Sequence, residues 1–295
     1  MMMRAKKRRF KMPLGAYAVI VSVLGEKLYL RLKYRYRTGR WPNLKTPERF
    51  SEKLQWLKLN DRRPLMHTLA DKLAAKAWVS ETIGAEYVIP VKKVIGGVEN
   101  LTMEQLPDFP FVLKFNHDSG GVKVCRSEAD FDLAAMRAFY EARDKSFYYT
   151  NLEWEYKDIT PTLFAEEYID DPSNSGVLRD YKIHCFSGEP RFVQVYSDRW
   201  NNITETWFTA DWERVDMWYL SPPKEGLVRP AQLDEMLALA RKLAQPFPYV
   251  RVDLYVTGDR ILVGEFTFRP YGGFMQWKPD QADVEVGRML TLPEA

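Results

Sequence analysis

The clearest pattern along the chain is a period of two near its end. Val250, Val252, Leu254 and Val256 alternate with Arg251 and Asp253 over Tyr249–Val256. A second run, Arg260–Phe268, follows a turn at Gly258-Asp259. Successive strand residues face opposite ways, so this alternation predicts an antiparallel hairpin with one apolar face. In the return strand the same rule groups Glu265 and Thr267 with Ile261 and Val263. A three-residue turn centred on Asp259 sets Asp253 opposite Glu265. A second hairpin is expected from Asp180–Phe186 and Arg191–Ser197 around Ser187-Gly188-Glu189-Pro190.

Elsewhere the pattern shifts to helical spacing. Thr46-Pro47-Glu48 reads as an N-cap, a proline at the first helical position and an acid in the first turn, with Phe50, Leu54 and Leu57 following. Further helices are predicted from Asp71 through Trp78, over 127–145 and from Pro230 to Ala244. Short strands are predicted at Val88–Val94, Pro110–Phe115, Val122–Cys125 and Leu163–Ile169, the last ending in Asp170-Asp171-Pro172. Residues 173–179 read as a loop, and 199–229 give no clear period. Helices mixed with antiparallel strands predict an α+β fold. The expected organisation is a basic helical segment over 1–40, a helical or α+β lobe over 41–107, and the main lobes over 108–290.

At 295 residues the chain can bury a large core. Its net charge of +3 gives no argument for a nucleic-acid partner. Cys125 and Cys185 are its two cysteines, which excludes a disulfide framework or a zinc ligand set and suits a reducing cytosol. His67, His117 and His184 have no metal-binding spacing, and no Walker loop or Gly-x-Ser-x-Gly elbow occurs. Contiguous His117-Asp118-Ser119 does not make a triad, which needs convergence in space.

Charge changes the picture at the N-terminus. Arg4, Lys6, Lys7, Arg8, Arg9 and Lys11 precede an apolar run from Met12 to Gly25, and a second basic cluster follows from Lys27 to Arg40. The run is short of the ~20 residues that span a bilayer. It resembles a signal sequence but lacks a clean small-residue cleavage site. A helix that caps the fold or lies on an anionic membrane surface fits, and so does a packed helix with a basic face.

The chemistry concentrates in three places. Directly opposed strand side chains sit ~5 Å apart, so Asp253 and Glu265 need a proton or a cation between them. Mg²⁺ typically takes one or two carboxylates plus substrate phosphates, and Arg251 beside them can neutralise a developing anion. An ordinary Arg–Asp pair on a solvated hairpin fits the same spacing. Lys114 stands in the apolar strand Phe111–Phe115, where it needs an anionic partner. The adjoining Ser119-Gly120-Gly121 loop can bring backbone N–H groups to phosphate, although a strand-edge lysine also explains the pattern. Asp180 and Lys182 share one strand face, suiting ribose and phosphate or merely solvent.

In order along the chain, several segments resemble the TupA-like branch of the ATP-grasp family. They are Thr46–Leu59 (TPERFSEKLQWLKL), Ala70-Asp71-Lys72, Leu106-Pro107, Phe111–Gly120 (FVLKFNHDSG), Glu166-Glu167-Tyr168, Asp180–Pro190 (DYKIHCFSGEP), Val250–Tyr255 (VRVDLY) and Gly264–Phe268 (GEFTF). The resemblance implies two α+β lobes that clasp ATP. It implies Lys72 and Lys114 on the ATP phosphates with the Ser119-Gly120 loop, and Glu166, Glu167, Tyr168 and Ile169 as the segment meeting adenine, largely through backbone. It implies Asp180 on ribose, Lys182 facing phosphate, and Arg251 stabilising an acyl-phosphate step. Asp253 and Glu265 are the implied Mg²⁺ ligands, and Thr267 stands where many such enzymes have asparagine as a third.

The implied activity is an ATP- and Mg²⁺-dependent carboxylate–amine ligase at the cytoplasmic side of a bacterial cell envelope. TupA-like proteins are associated with teichuronopeptide and capsule, which implies an acidic sugar or polysaccharide precursor and an amino-acid substrate. A glycosyltransferase would need an Asp-x-Asp cluster, for which Asp170-Asp171-Pro172 is a poor match. A non-catalytic ATP-binding scaffold would not need Lys114, Asp253 and Glu265 together.

Overall fold

The computed structural model describes residues 13–146, 148–170, 178–197 and 203–294. The basic run at 4–11, Asp171-Pro172, most of the loop expected over 173–179, and Arg199, Trp200 and Asn201 lie outside the described residues.

Two antiparallel sheets organise the molecule. The first is four-stranded in the order β1-β4-β2-β3, from β1 (Val91–Gly96), β2 (Phe111–Phe115), β3 (Lys123–Cys125) and β4 (Leu163–Glu167). The second is six-stranded in the order β10-β9-β5-β6-β7-β8. Its strands are β5 (Arg179–Phe186), β6 (Glu189–Ser197), β7 (Thr204–Thr209), β8 (Arg214–Val215), β9 (Tyr249–Thr257) and β10 (Arg260–Thr267). The helices are α1 (Leu14–Leu24), α2 (Glu26–Thr38), α3 (Phe50–Asn60), α4 (Pro64–Ala70), α5 (Lys72–Thr82), α6 (Leu133–Glu141), α7 (Tyr148–Asn151), α8 (Leu233–Ala244) and α9 (Ala282–Met289).

The six-stranded sheet is covered on both faces. Ile183, Val193, Val252 and Leu254 pack against Leu233, Met236, Ala240 and Leu243 of α8 and against Met66, Leu69 and Val79 of α4 and α5. Burying each such aliphatic side chain contributes roughly 1.5–3 kcal/mol. On the other face Phe186, Phe192, Trp207 and Tyr249 meet Phe50, Leu54 and Leu57 of α3, with Trp277 and Val286. The first sheet packs Phe111, Leu113 and Ala165 against Tyr140 of α6.

Several expected boundaries move for local reasons. The helix expected from Thr46 begins at Phe50. Glu52 gathers the backbone N–H groups of Asn43, Glu48 and Arg49 at 2.9, 3.3 and 3.3 Å, so Thr46-Pro47-Glu48 belongs to the approach. The helix expected over 127–145 is confined to Leu133–Glu141, because the Asp132 side chain caps it by accepting from Ala135 N–H at 2.9 Å. The strand expected from Val88 starts at Val91, and Val88 instead bridges in parallel to Val263. The unassigned stretch supplies β7 and β8, and Trp207 is 1% exposed there. At the expected start of α5, Asp71 caps the helix, accepting from Leu73 and Ala74 N–H at 2.8 and 3.3 Å.

One correction bears on the site. The β9–β10 turn has two residues, since Thr257 pairs with Arg260. Register still reaches Asp253 opposite Glu265, because a bulge lies between Val263 and Glu265. The bulge reverses the alternation of β10. Ile261 and Val263 therefore share the core with Phe266 and Phe268, while Glu265 and Thr267 turn to the Asp253 side. Gly264 is the bulged residue, and a Cβ there would lie 2.7 Å from the Tyr255 ring and 3.3 Å from the Asp253 carbonyl.

Candidate functional site

Register alone lines up the charges. Glu265 pairs with Asp253, Asp253 with Lys182 and Lys182 with Gln194, making one row across β10, β9, β5 and β6. The adjacent row holds Thr267, Arg251 and His184. Towards one end of this face the residues become aromatic, with Phe186 and Tyr249 in the core. The charged rows thus stand at the polar margin of a packed layer.

Arg251 grips Asp253 with both arms, Nε to Oδ1 at 2.6 Å and Nη2 to Oδ2 at 2.7 Å. The same Nη2 reaches Thr267 Oγ1 at 3.0 Å and Glu265 Oε1 at 3.3 Å. Lys182 ion-pairs with Asp180 at 2.7 Å and with Asp253, and its ammonium lies 5.3 Å over the Tyr196 ring. Burial opposes ionisation of Asp253, but the Arg251 charge, then that of Lys182, wins and lowers its pKa to about 2. Burial lowers the pKa of Lys182, against the pull of Asp253. The Arg251 pKa is raised by Asp253 although burial works the other way.

A second cluster lies on the four-stranded sheet. Lys114 of β2 pairs with Glu166 of β4, which also holds Lys76 of α5 at 3.0 Å. Burial would raise the Glu166 pKa, but Lys114 and Lys76 keep it low. The anionic partner that Lys114 required is therefore Glu166. Its side chain is committed to lysines, so any adenine contact there falls to the backbone. Glu167 N–H is bonded to the Pro90 carbonyl at 2.9 Å, Tyr168 lies under Arg126 at 5.1 Å, and Ile169 is buried with Ile89 and Leu262.

Lys72 stands between the clusters. Its Nζ donates to the Asp118 carbonyl at 2.6 Å, and burial lowers its pKa while Glu265 raises it and Lys114 lowers it further. The loop after β2 is tied by Asp118 to Arg143. Gly120 there has φ +84°, and a Cβ on Gly121 would lie 2.7 Å from Arg143 Nε. A cleft of about 920 Å³ brings Ser119 of this loop together with Lys182, Arg251, Glu265 and Thr267. Asp253 and Asp180 lie beneath that lining, 1% and 2% exposed.

Sequence reasoning missed Lys76, although it sits one helical turn after Lys72 on α5, a spacing that places both on one side. It also missed Tyr196 and Arg143, which meet the site only through long-range folding, and Arg269, which follows Thr267 by two residues.

Residues 52–291 match the model of the family described as TupA-like ATPgrasp. The chain belongs to the TupA-like ATP-grasp family. The two antiparallel sheets with their helices are accordingly the α+β architecture of an ATP-grasp fold. Among solved structures, the D-alanine–D-alanine ligase of Bacillus anthracis complexed with ATP is 20% identical with a TM-score of 0.39, over 68% of this chain and 55% of that one. The Helicobacter pylori D-alanine–D-alanine ligase is 12% identical with a TM-score of 0.46, over 84% and 68%. The ATP-grasp ligase PsnB, complexed with a phosphomimetic variant of its minimal precursor, Mg and ADP, is 10% identical with a TM-score of 0.40, over 82% and 66%. This TupA-like chain thus spans 55% to 68% of the length of these three relatives. No curated protein matches it.

Among the described residues no group of three or more His, Cys, Asp or Glu could hold a metal ion by itself. Glu265, with its side chain 33% exposed, opens to the cleft beside Thr267 and fits a cation completed by phosphate oxygens, while Asp253 lies behind them and would have to exchange Arg251 or Lys182 for the cation.

Proposed function

We propose that this TupA-like protein is an ATP-dependent carboxylate–amine ligase. The row Glu265–Asp253–Lys182, backed by Arg251 and opening on the cleft that also holds Ser119, carries the reading. Lys72 and Lys114 bind the ATP phosphates, Ser119 and Gly120 cover them, and Asp180 meets the ribose. The backbone of Glu166, Glu167, Tyr168 and Ile169 borders adenine. Asp253, Glu265 and Thr267 would hold Mg²⁺, which supplies charge neutralisation on the phosphates.

The substrate carboxylate attacks the γ-phosphorus, the bond to the β-phosphate oxygen breaks, and ADP leaves. An amine nitrogen then attacks the acyl carbon, the C–O bond breaks, and inorganic phosphate departs with the electron pair. Both steps concentrate negative charge in the cleft that Arg251 and Lys182 line. Because those cations are held by Asp253 before substrate arrives, they need little reorganisation during reaction.

For the substrates we infer a uronic-acid sugar of a surface polysaccharide precursor as the carboxylate and an amino acid or peptide as the amine. The basic, partly apolar N-terminal helices support work beside an anionic membrane on the cytoplasmic side. Among the described residues no helix is long and apolar enough to cross a membrane.

Hydroxylamine intercepts acyl-phosphates. Incubating the full chain with ATP, Mg²⁺, glucuronate or galacturonate and hydroxylamine should give a hydroxamate and equimolar ADP. ADP formation without any hydroxamate, across a panel of carboxylates, would contradict the acyl-phosphate route.

A further inference from the structure

The cleft has a second cationic wall that the proposed reaction has not used. Arg269 follows β10 and lines the cleft with Arg251, Glu265 and Thr267. It is 2% exposed. Its Nη1 donates to the Phe268 carbonyl at 3.0 Å, and its Nε is buried without a partner. Among the described residues it forms no ion pair. Glu155, buried within its electrostatic reach, leaves Oε1 unsatisfied rather than pairing with it.

Glu155 is thus a nearby buried acid that leaves the guanidinium's Nε unbonded, and the planar fork of an arginine matches a carboxylate. The loop that carries it is anchored from α3. Lys58 donates to the Gly272 carbonyl at 2.6 Å and Gln55 to the Gly273 carbonyl at 2.8 Å. A Cβ on Gly273 would lie 2.4 Å from Gln55 Nε2, so the loop is seated closely on that anchor. The same lining carries Glu153, whose Oε2 accepts from Asn151 at 2.8 Å. A fixed cation and an acid therefore share the wall.

We propose that Arg269 binds the α-carboxylate of a free amino acid that brings the attacking amine into the cleft. This rests on the ligase reading above. Glu153 offers the complementary charge to the ammonium before it loses its proton to solvent. The amine nitrogen then forms the C–N bond as the C–O bond to phosphate breaks. A peptide bound only through its N-terminus would leave Arg269 without its partner.

The test is calorimetric titration of the full chain, loaded with Mg²⁺ and ADP, with each of the twenty amino acids and with the corresponding decarboxylated amines. At least one amino acid should bind at least tenfold more tightly than its decarboxylated amine. Arg269→Gln should erase that difference and leave ADP affinity unchanged. Arg269→Lys, which keeps the charge, should retain part of it and serves if the glutamine variant does not fold. Glu155→Gln should keep the full preference. Absence of amino-acid binding to the ADP-bound chain, or a carboxylate preference that survives Arg269→Gln, would overturn the proposal. Failure of ADP itself to bind would instead remove the nucleotide reading.

Discussion

Arg251 serves two acids at once, bidentate to Asp253 and at longer range to Glu265. The neighbouring His184 is held neutral by burial and, after that, by the Arg251 charge. Its Nδ1 lies 2.9 Å from the Tyr249 hydroxyl and its Nε2 3.1 Å from Gln194 Oε1, and burial, then the Arg251 charge, lowers its pKa from 6.5 to about 3. The unfolded chain binds this proton more readily, so the histidine's contribution is complete above about pH 6.5 and is lost as pH falls towards 3. Urea unfolding across that window should show a steeper acid loss for wild type than for His184→Gln. Parallel pH profiles would contradict this. At this scale the sequence was informative about need and silent about partners. Lys114 in an apolar strand demanded an acid, but Glu166 answers it across a β2–β4 pairing that no local spacing reveals.

At the scale of elements, the β9–β10 hairpin was legible from alternation, and its charged face was found by period two. What could not be read was the bulge, because Gly264 replaces a longer turn in setting the same register. The glycine is required by the close Tyr255 ring and Asp253 carbonyl. Gly264→Val should cost about 1–3 kcal/mol through overpacking. It should also weaken Mg²⁺-dependent nucleotide binding more than an equally destabilising core change such as Ile261→Ala. Chemical unfolding together with nucleotide titration checks both. Equal losses in the two variants would make Gly264 a packing residue only. The helices were legible where an apolar stripe carried them, as in α8, and shifted where a side chain such as Asp132 or Glu52 capped at another position.

At the scale of the molecule, the N-terminal helices follow the packed reading, and the membrane-surface reading is a prediction about their outer face. Tyr29, Leu30 and Tyr34 pack α2 inward with Tyr148, Leu152 and Phe274. Its outer face exposes Leu28, Leu32 and Tyr36, with Lys27, Arg31 and Arg35 beside them and Trp41 beyond, 5.7 Å from Arg31. Aliphatic, aromatic and basic groups on one surface suit an anionic interface. The full chain should sediment with phosphatidylglycerol-containing vesicles and much less with pure phosphatidylcholine. Leu28→Asp/Leu32→Asp should reduce the former several-fold, and unchanged sedimentation would exclude this face.

Lys72 lies within electrostatic reach of both Lys114 and Glu265, one from each sheet. We propose that one nucleotide is held jointly, by Lys72 and Lys114 on one side and by the carboxylate row on the other. Calorimetric titration of ATP, with and without Mg²⁺, tests it most directly on wild type and Glu265→Gln, whose open carboxylate can be neutralised without stripping Asp253 of its partners. Wild type should bind ATP at least tenfold more tightly with Mg²⁺, and Glu265→Gln should lose that enhancement while keeping its metal-free affinity. ATP binding that ignores Mg²⁺ in wild type, or an enhancement that survives Glu265→Gln, would contradict this joint hold.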